Sequence, residues 1–186
     1  LVSFFADKDV AGNLKPMGLD SRAAALATWP QFNLGTSKVI ATALGANNLD
    51  TSVMAMLYNL NNKKTVDIFS YKVTDTTPVP VGRLFLPERE TAPSTITLKD
   101  VNSDGLADLI VFGEQITVFL NSPTGFSLVP TINELLPAGA SAMTIDDVDQ
   151  DGLPDILVAV QSDTKPSLQI LLNTNKTETP FASNEF

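Results

Sequence analysis

The fold is decided by a stretch that occurs twice: Ser94-Thr-Ile-Thr-Leu-Lys-Asp-Val-Asn-Ser-Asp-Gly-Leu-Ala-Asp-Leu-Ile110 and Ser141-Ala-Met-Thr-Ile-Asp-Asp-Val-Asp-Gln-Asp-Gly-Leu-Pro-Asp-Ile-Leu157. The two copies align without gaps at an offset of 47 residues, and 8 of 17 positions are identical. The similarity continues downstream, where Thr117–Asn121 matches Gln169–Asn173 at an offset of 52 residues. A repeat of this period predicts an architecture of stacked, similar units.

A third, degenerate copy occupies Val39–Leu57, with the same order of an apolar run, a polar loop and a second apolar run. In a gap-free alignment, Ala46 stands where the first copy has Asp100, and Met54 stands in place of Asp108. Because two acidic positions are lost, we expect no metal site in this copy.

Each copy is predicted to consist of short strands. Thr95–Leu98 alternates polar and apolar residues, and Leu109–Phe112 and Ile116–Leu120 are apolar runs too short for a helix. The turn-forming residues Asn121–Gly125 follow, and Phe126–Pro130 is predicted as a fourth strand. Four short strands in each period of about 45–50 residues are typical of a β-propeller blade. The predicted fold class is therefore all-β, with three to four four-stranded antiparallel blades.

The whole chain is predicted to be a single β-propeller segment, 1–186. Its blade-like repeats are expected at about 1–34 (partial or irregular), 35–88 (degenerate), 89–135 and 136–186 (last strand incomplete). Ser21–Thr28 is a short helix-like stretch that we expect to lie outside the blades. A closed propeller has about four to eight blades, and an open set exposes strand edges. We therefore expect the segment to be part of a larger propeller, with further blades supplied by the same or another chain.

The loops of the two clear copies, 100–108 and 147–155, carry the candidate chemistry. Oxygen-bearing side chains occupy loop positions 1, 3, 5 and 9, and glycine occupies position 6. A chain that wraps around a cation turns alternate side chains inward, and Gly105 or Gly152 permits the sharp turn. An EF-hand would need Glu at position 12 and two flanking helices, but position 12 is valine in both copies and the flanking segments are predicted strands.

The composition excludes most catalytic chemistry. The 186 residues include no Cys and no His, which excludes Ser-His-Asp triads, cysteine nucleophiles, disulfides and Cys/His zinc sites. A metal must therefore be bound by oxygen, as Ca²⁺ and Mg²⁺ are. With 12 Lys and Arg against 21 Asp and Glu, the net charge of -9 argues against nucleic acid as a partner. The longest apolar runs are too short for membrane insertion.

Both loops are followed by an apolar strand and then by Leu-Asn…Gly-Phe, ending at Phe126, or Leu-Asn…Pro-Phe, ending at Phe181. This pattern resembles the FG-GAP / VCBS-type repeats of integrin-α-like β-propellers, well over Ser94–Phe181 and poorly over Val39–Leu86. In that family the loop joins the first two strands of a blade and binds Ca²⁺. The resemblance implies two Ca²⁺ sites with the following ligands: Asp100, Asn102, Asp104, the Leu106 carbonyl and Asp108 in one loop, and Asp147, Asp149, Asp151, the Leu153 carbonyl and Asp155 in the other.

The resemblance also implies a function in recognition. We expect a calcium-binding adhesion or ligand-binding module, with structural Ca²⁺ and a protein or glycan ligand, located extracellularly, at the cell surface or in the periplasm. Two alternatives stay open: a propeller module of a polysaccharide-active enzyme, and a structural subunit that completes a larger assembly. We expect no enzyme activity, because acidic pairs such as Glu88–Glu90 are explained as solvated surface and Asp146–Asp147 as part of the metal loop.

Three other residues carry weaker signals. Trp29 and Tyr58 could stack on sugars, although large aromatic side chains more often pack in a core. Asn175-Lys-Thr177 is a glycosylation sequon, which is informative only if a secreting eukaryotic cell makes the protein.

Overall fold

The computed structural model describes residues 3–8, 14–19, 39–47, 51–72, 78–88, 95–161, 165–174 and 181–185. The helix-like stretch Ser21–Thr28, Trp29 and the sequon at Asn175 lie outside these residues. All regular secondary structure in the described part of the chain is β-strand. None of it forms a helix with the length and apolar character needed to cross a membrane.

The strands form one two-stranded sheet and three four-stranded sheets, in which each strand pairs with the next one along the chain. The two-stranded sheet contains β1 (Ser3–Lys8) and β2 (Leu14–Leu19). The first four-stranded sheet contains β3 (Val39–Asn47), β4 (Thr51–Leu60), β5 (Lys63–Tyr71) and β6 (Val79–Phe85). The second contains β7 (Thr95–Lys99), β8 (Asp108–Phe112), β9 (Gln115–Phe119) and β10 (Ile132–Leu135). The third contains β11 (Ala140–Asp146), β12 (Asp155–Val160), β13 (Ser167–Asn173) and β14 (Phe181–Glu185).

The predicted all-β fold of four-stranded antiparallel blades is confirmed by these sheets. All of their strand pairs are antiparallel, as hairpin-connected neighbours are. The residues that the structure describes form three such sheets and no closed ring.

The prediction of a fourth strand over Phe126–Pro130 is wrong, because the last strand of the second sheet is β10, which begins at Ile132. Leu128 is 79% exposed and Val129 is 71% exposed, whereas Ile132 is only 8% exposed. The buried side chain that sets the pairing with β9 is therefore Ile132, and the preceding apolar residues form a solvent-exposed loop. Hydrophobicity along the sequence does not distinguish the two segments.

The last strand of the third sheet was expected to be incomplete, but β14 pairs with β13 from Asn173↔Phe181 to Gln169↔Glu185. Phe181 is buried and belongs to the core between the second and third sheets. The segment has one aromatic residue and no β-branched residue, so its composition does not mark it as a strand.

The three sheets stack face to face, with one hydrophobic cluster between the first and second and another between the second and third. Successive residues of β8 alternate between them: Leu109 and Val111 face the first sheet, and Ile110 and Phe112 face the third. This explains why every residue of β8 and β9 is buried. The first two sheets approach so closely at Gly45 that a Cβ there would lie 2.6 Å from Leu98 Cβ.

The first sheet also carries a polar network on its other face, in which Tyr58 and Asp67 are buried and the Arg83 side chain is 49% exposed. The Tyr58 hydroxyl donates to Asp67 Oδ2 at 2.8 Å, and Arg83 donates from Nε and Nη2 to the two oxygens of the same carboxylate at 2.6 and 2.8 Å. Burial, followed by the Asp67 carboxylate, raises the pKa of Tyr58 to about 12. Because Tyr58 is fully buried, it is a packing residue and cannot stack on a sugar.

Candidate metal centre

The two acidic loops connect the first and second strands of the second and third sheets, which is where the sequence placed them. Both have the same backbone shape, with a positive φ at loop positions 4 and 6. These angles are 60° at Ser103, 83° at Gly105, 64° at Gln150 and 89° at Gly152. The left-handed residues fold the chain sharply back, and glycine at position 6 does so without a Cβ penalty.

The loop of the third sheet gathers three exposed carboxylates. One oxygen from each of Asp147, Asp149 and Asp151 lies within 4.8 Å of the others. Asp147 accepts hydrogen bonds from the backbone N–H groups of Asp151 at 3.1 Å and Gly152 at 2.9 Å. Asp149 accepts from Asp151 N at 3.2 Å, and Asp151 accepts from Leu153 N at 2.8 Å. The backbone therefore holds the carboxylates together despite their mutual repulsion.

The pKa of Asp149 reflects the close approach of these carboxylates. Desolvation raises the pKa of Asp149, the backbone hydrogen bond from Asp151 lowers it, and the like charges of Asp151, Asp155 and Asp147 raise it. A cation placed among the three carboxylates would remove that repulsion. The three carboxylates could therefore hold a positive ion.

The loop of the second sheet repeats this arrangement with one amide in place of a carboxylate. Asp100 accepts from Asp104 N at 3.2 Å and Gly105 N at 2.8 Å, and Asp104 accepts from Leu106 N at 2.8 Å. Asn102 Oδ1 accepts from Asp104 N, and its Nδ2 donates to Asp104 Oδ2 at 3.1 Å. With one charge fewer, this loop should hold a divalent cation more weakly than the loop of the third sheet.

The position-9 carboxylates have a different environment, because Asp108 and Asp155 are fully buried. Asp108 accepts from Val101 N at 2.9 Å and Asn121 N at 2.7 Å. Asp155 accepts from Val148 N at 2.9 Å and Asn173 N at 2.7 Å. Asp108 therefore ties the start of its loop to Asn121, two residues after the end of β9. Asp155 ties the start of its loop to Asn173, the last residue of β13.

Both of these carboxylates are outside the exposed trio of the third sheet, and their ligand role stays a prediction. Each oxygen has a second lone pair, so a bond to a cation is compatible with the backbone bonds. Burial raises the pKa of Asp108 to about 6, against the backbone hydrogen bonds from Asn121 and Val101, which lower it. A cation nearby would favour the ionised form.

Asn121 and Asn173 are site residues that the sequence does not mark as metal ligands, although the Leu-Asn pair is repeated. Besides its backbone bond to Asp108, Asn121 donates from Nδ2 to Ala107 O at 3.2 Å. Asn173 donates from Nδ2 to Pro154 O at 3.2 Å in the same way. Both asparagines therefore hold the end of the acidic loop in their own sheet.

The strand register corrects the alignment of the degenerate copy. In the first sheet the last pair before the turn is Asn47↔Thr51, whereas in the second it is Lys99↔Asp108. Thr51, and not Met54, therefore occupies the place of Asp108. The connection has three residues (48–50) where the second sheet has eight (100–107), so the copy has lost most of the loop and not only its acidic residues.

The donor set fits a hard divalent cation. Calcium bonds to oxygen at about 2.3–2.6 Å, so two of its ligands can lie up to about 5.2 Å apart across the ion. The 4.8 Å limit on Asp147, Asp149 and Asp151 meets this condition, and all three offer carboxylate oxygens. The carbonyls of Leu106 and Leu153 stay predicted ligands.

Comparison with known proteins supports the repeat. A search of curated proteins finds no significant match to this chain. Residues 100–158 match the family model of the FG-GAP-like repeat. The matched stretch begins at the first acidic loop, contains the second and ends in β12. The chain therefore contains an FG-GAP-like repeat, within a β-propeller-like module.

Proposed function

We propose that the protein is a calcium-binding recognition module in which Ca²⁺ has a structural role. The observation that carries the proposal is the cluster of Asp147, Asp149 and Asp151, held together by backbone amides inside an FG-GAP-like repeat. Such repeats often bind calcium.

Two ions are proposed, one in each acidic loop. The two loops contain seven carboxylates, three in the second sheet and four in the third. Two Ca²⁺ ions would change the net charge from -9 to -5, since each adds two positive charges. The upstream copy has no equivalent loop and receives no ion in this proposal.

The ions would act on the structure by fixing the turn between two strands. Eight residues of each loop, 100–107 and 147–154, lie between the strands, so the turn depends on Asx-type hydrogen bonds that its own acidic side chains accept from backbone N–H groups. Coordination would remove repulsion among these side chains and hold the loop closed over the buried position-9 carboxylate. The two neighbouring sheets would then keep their relative position at this end.

The ligand of the module is proposed to be a protein or a glycan, outside the cell, at its surface or in the periplasm. A cleft of about 440 Å³ between the acidic loops is large enough for part of such a ligand and is lined by Lys99, Asp100, Asp146 and Asp147. Calcium-dependent glycan binding on an array would support the glycan ligand. Turnover of an acidic polysaccharide would instead support the enzyme module.

A calorimetric calcium titration tests the metal assignment. We expect two Ca²⁺ ions per chain, because the two loops share one backbone shape and nearly one donor set. Asp149→Ala should reduce the stoichiometry to one ion, whereas Glu134→Ala, an exposed carboxylate outside the loops, should leave it at two. Absence of a binding signal in the unaltered protein would refute the proposal.

A structural subunit is a second candidate, favoured by the outer face of the third sheet. By register, Leu168 occupies the place of Ile116, which faces the third sheet from the second. Leu168 is 43% exposed, whereas Ile116 is 1% exposed. Val148 is 39% exposed, whereas its counterpart Val101 is fully buried. This face thus exposes apolar side chains that a further blade, from the same or another chain, would cover.

Mass measurement in solution tests this second candidate. The full chain should form a complex whose population rises with concentration, because burial of the outer face removes apolar surface from water. Leu168→Glu should shift the population to the monomer. Leu128→Glu is the matched control, since Leu128 is 79% exposed but lies on the loop before β10. A monomer at every concentration would contradict assembly between copies of this chain.

A further inference from the structure

A continuous chain of hydrogen bonds joins the two acidic loops across the boundary between the second and third sheets. Val101, at position 2 of the first loop, donates its N–H to Asp108 and accepts Asn173 Nδ2 at its carbonyl at 2.6 Å. Asn173 donates its own N–H to Asp155, which also accepts from Val148 N in the second loop. This series of hydrogen bonds therefore begins at the buried Asp108 carboxylate of the first loop and ends at Val148, position 2 of the second loop.

We propose that this chain of bonds makes calcium binding at the two loops cooperative, with Asn173 as the residue that couples them. The inference rests on the proposed calcium binding, because it concerns the regulation of the same two sites. Asn173 acts here as a positioning residue, since its described hydrogen bonds go to two backbone carbonyls and a buried carboxylate.

The coupling has a direct physical basis in what each bond orders. Closure of the first loop around an ion fixes Val101, whose carbonyl accepts the bond from Asn173. A fixed Asn173 holds Asp155 in the orientation that also accepts Val148 N. Asp155 is then already oriented before the second loop binds its own ion. Because less ordering is left for that step, calcium binds the second loop more tightly.

Most residues in this series of hydrogen bonds are buried, which allows the coupling to reach the other loop. Val101, Asp108 and Asp155 are fully buried, and Asn173 is 3% exposed. Water cannot easily replace a hydrogen bond that is lost among these groups, so a change in the position of one group alters the position of the group bonded to it. By linkage, each ion must strengthen the other by the same factor.

Asn121 provides a matched control within the same fold. Like Asn173, it donates its backbone N–H to a position-9 carboxylate and its side-chain amide to the end of the loop in its own sheet. Within the described residues, its side chain makes no hydrogen bond to another sheet. Truncation of Asn121 therefore removes its side-chain bond to Ala107 O, the counterpart of the Asn173 bond to Pro154 O, and spares both the backbone bond to Asp108 and the bond between sheets.

The test measures the calcium affinity of the second loop with the first loop intact or disabled by Asp104→Asn. In the otherwise unaltered protein, we expect this substitution to weaken calcium binding at the second loop about fivefold. In the Asn173→Ala background the same substitution should leave that affinity unchanged. In the Asn121→Ala background the roughly fivefold effect should persist.

Hydrogen exchange supplies a second measurement that a merely structural role would not change. In Asp104→Asn protein, calcium can bind only the second loop, and we expect it to slow amide exchange at Val101. Asn173→Leu, which keeps the approximate volume of the side chain and serves if Asn173→Ala does not fold, should abolish this slowing. Persistence of the slowing in Asn173→Leu would overturn the proposal.

The outcomes separate the coupling from the calcium assignment. If the unaltered protein binds no calcium, the proposed function fails and the coupling fails with it. If two ions bind, but the affinity of the second loop is the same with the first loop intact or disabled, only the coupling is overturned.

Discussion

Chelation of calcium is expected to lower the midpoint of thermal unfolding by about 10 °C or more. A ligand at 100 times its Kd stabilises the folded state by about 2.7 kcal/mol, so two sites contribute about 5 kcal/mol. For a chain of this size, each kcal/mol corresponds to about 2–4 °C in the midpoint. The effect should be large because the exposed carboxylates of both loops repel one another without an ion. Differential scanning calorimetry with calcium or with chelator measures it.

The double variant Asp104→Ala plus Asp151→Ala should abolish the calcium-dependent rise. Each residue provides the position-5 carboxylate of its loop, next to the glycine turn. The control is Glu134→Ala, which removes an exposed carboxylate on β10 and should keep the full rise. An unchanged midpoint on chelation of the unaltered protein would show that the loops do not hold structural calcium.

Asp155→Ala is expected to destabilise the protein by about 3 kcal/mol even without calcium. The fully buried carboxylate accepts from Val148 N and Asn173 N, and its removal leaves two backbone donors unpaired. An unsatisfied buried donor costs about 1–3 kcal/mol, with the larger cost expected for the fully buried bond from Asn173. Urea unfolding in the presence of chelator gives the free energy of unfolding directly.

Asp149→Ala is the matched control, since it lies in the same loop but is exposed and shares its one backbone donor with Asp147. Without calcium it should change the free energy of unfolding by less than about 0.5 kcal/mol, as is usual for surface positions. With calcium it should lose the stabilisation from one ion. Equal effects of the two substitutions under chelation would contradict the separate roles of positions 3 and 9.

The hydrogen-bonded network of Arg83, Asp67 and Tyr58 shows why the sequence does not reveal some contacts. Arg83 lies 16 residues from Asp67, and Tyr58 lies 9 residues from it, on three different strands. Only the register of β4, β5 and β6 brings them to one face, where Met56, Asp67 and Arg83 are cross-strand neighbours. No local pattern marks these residues as partners.

The sequence by itself determined the repeat, the antiparallel strands and the position of both acidic loops. These are local properties: apolar runs of strand length, glycine at a position with positive φ, and acidic residues at alternate positions. The gathering of Asp147, Asp149 and Asp151 follows from the same loop geometry, because the amides that hold them lie within five residues.

The tertiary structure alone decided which edge segments became strands and which acidic residues were buried. Ile132 and Phe181 define β10 and β14 by packing against other sheets, whereas their own sequence surroundings do not single them out. Asp108 and Asp155 are buried acceptors, and each accepts one bond from a residue 13 or 18 positions further along the chain. The bond from Asn173 to Val101 spans 72 residues and exists only because two sheets stack. Contacts between sheets depend on distances in space, and spacing along the chain does not encode those distances.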